Sequence, residues 1–191
     1  DTGFLPRAIN SSAITLVAKQ SNATSMQQFR PISCCNTIYK CIAKMLAFRM
    51  KPVMQILTSQ NQGAFVPNRS IGDNVQLAQS LCKDYRLSSG PPKFACKLDL
   101  KKAFDSISWA FILETLKRMN FPDIFISWIR TCICDCMHSV KINGSLEGYF
   151  KAGSGLRQGC PLSPYLFVLS MEVLNACISK VISRGDFHYH W

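Results

Sequence analysis

Ile14-Thr15-Leu16-Val17-Ala18 is a short apolar run with β-branched members, which predicts a strand. The polar stretch from Gln20 to Gln28 separates it from Phe29-Arg30-Pro31-Ile32, a second extended piece. Two extended pieces around a polar tip predict a hairpin. From about residue 36 to 50 the apolar positions Ile38, Ile42, Met45 and Leu46 share one helical face, and Pro52 is expected to close that helix. Ser70-Ile71-Gly72-Asp73 has the form of a capping box, and Ile71, Val75, Ala78, Leu81 and Tyr85 follow at helical spacing. Ser88-Ser89-Gly90-Pro91-Pro92 reads as loop and is the best boundary candidate in the chain.

Phe94-Ala95-Cys96-Lys97-Leu98-Asp99-Leu100 reads as a strand. Trp109, Ile112, Leu113, Leu116 and Met119 predict a helix, and Pro122 opens another that carries Phe125, Trp128 and Ile129. Asn143-Gly144, between Val140-Lys141-Ile142 and Ser145 to Phe150, is the strongest short-range hairpin signal available. A Gly-rich stretch, Gly153 to Gly159, leads to Ser163 as N-cap and Pro164 as first helical residue. Leu166, Leu169, Val173, Cys177 and Val181 then form an apolar stripe, with Gly185 as its end. No internal repeat is visible. Helices and strands mix without regular alternation, so the expected fold class is α+β.

Composition narrows this further. With 191 residues, 48% hydrophobic and 17% charged, the chain is ordinary globular material and not a disordered one. No uninterrupted apolar run approaches about 18 residues, so neither a transmembrane helix nor a membrane partner is expected. The opening Asp1 to Arg7 has no initiator Met and no signal layout, which reads as a piece of a longer protein. A formal charge of +11, from 22 basic against 11 acidic residues, favours polyanions, with nucleic acid the commonest partner. The plain alternative is a solvated basic surface. The ten Cys are not spaced as a disulfide framework. Cys35, Cys41, Cys96 and Cys177 sit among apolar neighbours and read as core residues, in a reducing compartment.

Asp99 closes an apolar run where a strand would give way to a cleft. A carboxylate there suits Mg²⁺, a hard cation that prefers oxygen. Two-metal phosphoryl transfer requires such a carboxylate and at least one more. Otherwise Asp99 is a turn former or a helix N-cap. Asp105 reads as a cap for the helix that follows. Cys132, Cys134, Cys136 and His138 alternate, but in a strand they splay too far to close a tetrahedron and in a helix they scatter, so zinc is not expected. His188 and His190 carry as little.

Asp99-Leu100-Lys101-Lys102-Ala103-Phe104-Asp105-Ser106 resembles the first catalytic motif of LINE-type (non-LTR) retrotransposon reverse transcriptases. Gly155-Leu156-Arg157-Gln158-Gly159-Cys160-Pro161-Leu162-Ser163-Pro164-Tyr165-Leu166-Phe167 resembles their next palm motif. Phe29-Arg30-Pro31-Ile32-Ser33 with Ile38-Tyr39-Lys40 and Ile42-Ala43-Lys44, and Gln62-Gly63-Ala64-Phe65-Val66-Pro67 with Arg69-Ser70-Ile71, resemble two fingers motifs. The four occur in family order over nearly the whole chain, in wording closest to plant members. A group II intron-type or telomerase-type polymerase fits the fingers wording less well.

The resemblance implies a partial right-hand polymerase fold. Residues 1–93 would be fingers, 94–112 the palm strand and first catalytic motif, 113–152 helices and a hairpin returning toward the fingers, and 153–191 the palm loop and long helix. It implies an RNA-directed DNA polymerase using two Mg²⁺ ions, with RNA template, DNA primer and dNTP as partners, inside the cell and nuclear at the site of integration. Asp99 would ligate both ions, and Phe104 would be the steric gate against a ribose 2′-OH. Gln158 and Gly159 would lie beside the nucleotide, Lys19 and Arg30 would grip its triphosphate, and Arg69 and Arg157 would touch template or primer. The family's second carboxylates sit in an Ala-Asp-Asp hairpin beyond the long helix, where this sequence ends at Trp191. The expectation is that this piece alone does not polymerise. The alternative is a catalytically dead remnant that at most binds nucleic acid.

Overall fold

β1 (Ser11–Ala18) and β2 (Phe29–Cys35) pair antiparallel with Ala18 opposite Phe29, forming the expected hairpin. The structure is a computed structural model that describes residues 3–83 and 95–185. At the hairpin tip a 3₁₀ turn, Met26–Gln28, is closed by Gln28 Oε1, which accepts from the backbone N–H of Thr24 at 2.6 Å and of Ser25 at 3.1 Å. β3 (Met137–Ile142) and β4 (Ser145–Lys151) form the second hairpin. Asn143 and Gly144 turn it with φ of 47° and 92°, the left-handed pair that a tight two-residue loop demands. β3 also pairs parallel to β1, giving one four-stranded sheet in the order β2-β1-β3-β4.

Helix α1 (Thr37–Leu57) starts where Asn36 accepts from the Ile38 N–H at 2.9 Å. It runs straight through Pro52, against the expectation that proline would end it. Proline removes one backbone donor, which leaves the Phe48 carbonyl unpaired. That side of the helix faces solvent, with Phe48 76% exposed, so water can serve the carbonyl. On the opposite side Met50 and Met54 are fully buried and hold both halves in line. α2 (Ile71–Lys83) begins with Ser70 Oγ accepting from the Gly72 N–H at 3.0 Å. Its apolar stripe is left uncovered among the described residues: none of its residues is buried. Tyr85 and the Ser88–Pro92 loop lie outside the described residues.

The short turn α3 (Ala103–Ser106) precedes α4 (Trp109–Arg118) and α5 (Asp123–Ile133), and α6 (Ser163–Ser183) completes the helices. α6 starts one residue early, with Leu162 as N-cap and Ser163 already helical. One hydrophobic core joins Tyr39, Met50 and Met54 of α1 to Ile112 and Leu116 of α4, Ile129 of α5, and Leu166 and Leu169 of α6. Each such side chain contributes on the order of 1.5–3 kcal/mol. That core draws on all four of the segments expected from sequence, which therefore do not have separate interiors.

Several expectations are corrected. Ala95–Leu100 forms no strand; it is irregular and exposed, with Leu98 at 68% exposure. A strand needs a partner ladder, and neither sheet edge, β2 or β4, takes this segment. Cys35 is buried as expected, but Cys41, Cys96 and Cys177 are exposed. Apolar sequence neighbours on an outward helix face or in a loop do not bury a thiol. All ten cysteines are free. α6 is long and apolar enough to cross a membrane, with mean hydropathy 1.6. Ser170, Glu172 and Asn175 interrupt its apolar run, so no unbroken apolar stretch of that length exists although the average stays high. Its first half is part of the helical core.

Candidate active site

Two loops and a hairpin build the site. Lys19 follows β1, where its N–H donates to the Gln28 carbonyl at 2.8 Å and its Nζ to the Gln27 carbonyl at 2.8 Å. Arg30 stands opposite Val17 in the β1–β2 register and is exposed. The Gly153–Gly159 loop is tied to α3 and α4 from below. Gly155 N–H donates to the Ile107 carbonyl at 2.9 Å, Leu156 N–H to the Phe104 carbonyl at 2.6 Å, and Trp109 Nε1–H to the Gly155 carbonyl at 2.7 Å. Gly155 has φ of +86°, and a Cβ there would lie 2.6 Å from the Asp105 carbonyl oxygen. Only glycine fits that approach. From above, the Ser33 N–H donates to the Gln158 carbonyl at 2.8 Å.

The Gln158 side chain is aimed by Asp105, whose Oδ1 accepts from Gln158 Nε2 at 3.0 Å. Asp105 is therefore no cap for the next helix; it lies within α3, and Ser108 holds the N-cap of α4. The sequence signal for its role was a second carboxylate six residues after Asp99. Lys102 also went unnoticed. It takes a left-handed conformation, φ 51°, at the start of α3.

These elements enclose a cavity of about 640 Å³ lined by Lys19, Arg30, Asp99, Lys102, Asp105 and Gln158. Asp99 is exposed there, with no hydrogen bond committing its carboxylate to another described residue. Two carboxylates thus face a ring of cations. A neighbouring cavity of about 520 Å³ shares Lys102 and Gln158 and is lined by Phe104 and Gly159. The arrangement offers oxygen donors for a hard cation and fixed positive charges for phosphate.

A model of the reverse transcriptase (RNA-dependent DNA polymerase) family matches residues 17–190. The chain belongs to the reverse transcriptase family. Its relatives put it among those of non-LTR retrotransposons. The transposon TX1 uncharacterized 149 kDa protein of Xenopus laevis is 34% identical over 178 residues, 93% of this chain and 14% of that protein. The Pol polyprotein of type-2 retrotransposable element R2DM of Drosophila melanogaster is 30% identical over 176 residues, 90% of this chain and 16% of that protein. An uncharacterized mitochondrial protein of Arabidopsis thaliana is 48% identical over 44 residues, 23% of this chain and 36% of that protein. The chain thus spans a small part of the first two relatives. Reverse transcriptases as a family act on nucleotide substrates with an RNA template and depend on divalent metal.

Of the residues picked out as this reverse transcriptase's site, the fold gathers Lys19, Arg30, Asp99 and Gln158 around one cavity and Phe104 and Gly159 around the next. Phe104 is half-buried and stacks on Phe167 with ring centroids 4.7 Å apart, so it packs as well as lines. Arg69 stands apart, while Arg157 also lines the second cavity but with its guanidinium turned into the protein. Arg69 Nη1 donates to the carbonyls of Ser59 and Gln62, and its Nη2 to those of Gln55 and Thr58. It satisfies the carbonyls left over at the C-terminal end of α1 and turns its charge to the helix dipole. Arg157 is 7% exposed, with its guanidinium 4.2 Å from the Tyr39 ring centroid. Its Nη2 donates to Asn10 Oδ1 and, at 3.1 Å, to the Asn10 carbonyl. In this conformation both guanidinium groups are engaged by protein acceptors.

Arg157 is an unusual burial. Its Nε and Nη1 have no acceptor among the described residues. Burial works against the charge, but Tyr39 and Cys136 work for it, and the balance holds its pKa above the ordinary arginine range. Nearby thiols do not neutralise it: burial pushes Cys132 up to about 12 and raises Cys35. Nothing local along the chain signals this, because Asn10, its main partner, is 147 positions away. Cys132 lies in α5, Cys134 and Cys136 in the turn after it, and His138 in β3. Among the described residues no group of three or more His, Cys, Asp or Glu gathers as a metal site. His188 and His190 lie outside them.

Proposed function

We propose that this domain carries out RNA-directed DNA synthesis, in which the 3′-OH of a DNA primer attacks the α-phosphate of a dNTP on an RNA template. The observation that carries the reading is the single cavity shared by Lys19, Arg30, Asp99 and Gln158. Magnesium is held by one or two carboxylates completed by substrate phosphates and water, and an exposed Asp99 beside two cations suited to phosphate fits that donor set. When bound there, Mg²⁺ supplies Lewis acidity toward the hydroxyl and charge neutralisation for the leaving pyrophosphate.

The chain's own residues do the rest. Lys19, a compact point charge, and Arg30, a planar fork, take the triphosphate oxygens. Gln158 presents an amide to the nucleotide, held in one direction by Asp105. Gly159 lets the nucleotide come close to the backbone. Phe104, fixed against Phe167, crowds the sugar where a 2′-OH would sit. A pair of ions needs more free carboxylate than Asp99 provides, because Asp105 is engaged by Gln158, so we expect this chain alone to bind nucleotide and nucleic acid without extending a primer. A nuclear site of action, at the point of integration, belongs to the same proposal.

The test is Mg²⁺-dependent dNTP binding followed by calorimetry, beside primer extension on an RNA template. Binding is expected in the native chain and lost in Asp99→Asn. Binding of equal strength in both would remove Asp99 from the site. Extension by this chain, abolished by Asp99→Asn, would overturn the expectation of incompleteness. Salt-sensitive RNA binding with no dNTP binding at all would favour a remnant that holds nucleic acid only.

A further inference from the structure

α1 is apolar on two opposite sides. At about 100° per residue, Tyr39, Ala43, Leu46, Met50 and Met54 point to one side, and these are buried in the core. Ile38, Cys41, Met45, Phe48, Pro52 and Ile56 point almost directly away, and all are exposed. Met45 is 60% exposed, Phe48 76% and Ile56 83%. The outer set follows the three-four spacing of a helix-pairing seam over about 27 Å of helix. A helix normally turns its second face to water with polar side chains. A contiguous apolar stripe of this kind marks an interaction surface.

Charge says what covers it. In heptad terms Ile38, Met45 and Pro52 fall at one core position and Cys41 and Phe48 at the other. Lys44 and Lys51 then occupy one flank, continued by Lys40, and Arg49 the other. Two copies of α1 side by side would set Lys44 against Arg49 if parallel and lysine against lysine if antiparallel, so self-pairing is repelled either way. A helix with acidic flanks is attracted in both orientations. The stripe also opens onto an apolar cavity of about 280 Å³ lined by Ile42, Met45, Leu46 and Trp128, which can receive one large side chain. Arg49 lies over the Trp128 ring at 5.7 Å, which fixes that rim.

We propose that the outward face of α1 docks an amphipathic helix whose apolar seam is flanked by Glu or Asp, supplied by another protein chain. This surface is separate from the cavity that holds Asp99, and the inference stands whether or not that cavity polymerises.

The probe is a fluorescent synthetic helix with Leu at both seam positions and Glu on both flanks; a second carries Lys on the flanks. Anisotropy at about 0.15 M salt should show the Glu helix binding and the Lys helix not. Phe48→Ser, at a position outside the core, should weaken binding at least about tenfold. Lys44→Glu with Lys51→Glu should reverse the preference toward the Lys helix, whereas Lys117→Glu with Lys180→Glu should leave it unchanged. Circular dichroism confirms that each variant is folded. Binding of the Glu helix that survives Phe48→Ser, or that follows net charge in both double variants alike, overturns the proposal. So does a chain that ignores the Glu helix but self-associates in sedimentation, or binds phosphatidylserine vesicles, through Phe48.

Discussion

Gly155 and Gln158 sit three residues apart and serve the site in different ways. Gly155 is required by space, since any Cβ would press on the Asp105 carbonyl. Gln158 is required by direction, because its amide is held by the Asp105 carboxylate. His138 shows how far a residue's setting can depart from its sequence. Burial, and then the Arg157 charge, lower its pKa from 6.5 and so favour the neutral ring. Its Nδ1 lies 2.8 Å from Ser12 Oγ and its Nε2 3.6 Å from Cys136 Sγ. As pH falls past 6.5 the unfolded chain takes up this proton first, so stability declines until the lower, folded pKa is passed. Urea midpoints at about pH 7.5 and about pH 5.5 should fall toward acid in the native chain, and by less in His138→Gln. An equal acid loss in both would assign the effect to other groups.

At the scale of elements, the two hairpins and four of the helices follow from local pattern. Asn143-Gly144 sets its own turn, and the Pro122 start of α5 needs no partner. α1 does not end where local rules would end it, since Met50 and Met54 anchor both sides of Pro52. Restoring the missing donor should therefore stabilise the helix. Pro52→Ala is expected to add roughly 1–2 kcal/mol, less than the full cost of a mid-helix proline because the unfolded chain also gains freedom. The measurement is a guanidinium midpoint with an unchanged slope, and a lower midpoint would show that the proline ring is part of the packing.

For the whole molecule, the surplus of 11 positive charges governs association more than fold. Affinity for a single-stranded RNA oligonucleotide should drop at least about tenfold between roughly 50 and 200 mM salt, with little dependence on sequence. With no dNTP present Lys19 and Arg30 are open to RNA phosphate instead, so replacing either with Gln should flatten the salt slope by about 0.7, the value for one phosphate contact on a single strand. Arg69→Gln should leave the slope unchanged, because that guanidinium is occupied by backbone carbonyls. A slope change at Arg69 equal to that at Lys19 would mean that the arginine leaves its helix end to meet the nucleic acid.

Local pattern by itself determined the α+β class, both hairpins, the helix starts at Ser70 and Pro122, and, through motif order, the family. These are short-range properties: a turn or a cap involves residues a few positions apart, and their chemistry is written in the order of side chains. Only the tertiary structure decided which apolar faces are covered and which, as on α2 and the outer side of α1, are left exposed, and whether Ala95–Leu100 finds a strand to pair with. It alone buried Arg157 against Tyr39, turned Arg69 to the end of α1, and set Asp105 to aim Gln158. Those outcomes rest on contacts between residues that are mostly distant in sequence, and a side chain's surroundings at that range are fixed by packing rather than by its neighbours along the chain.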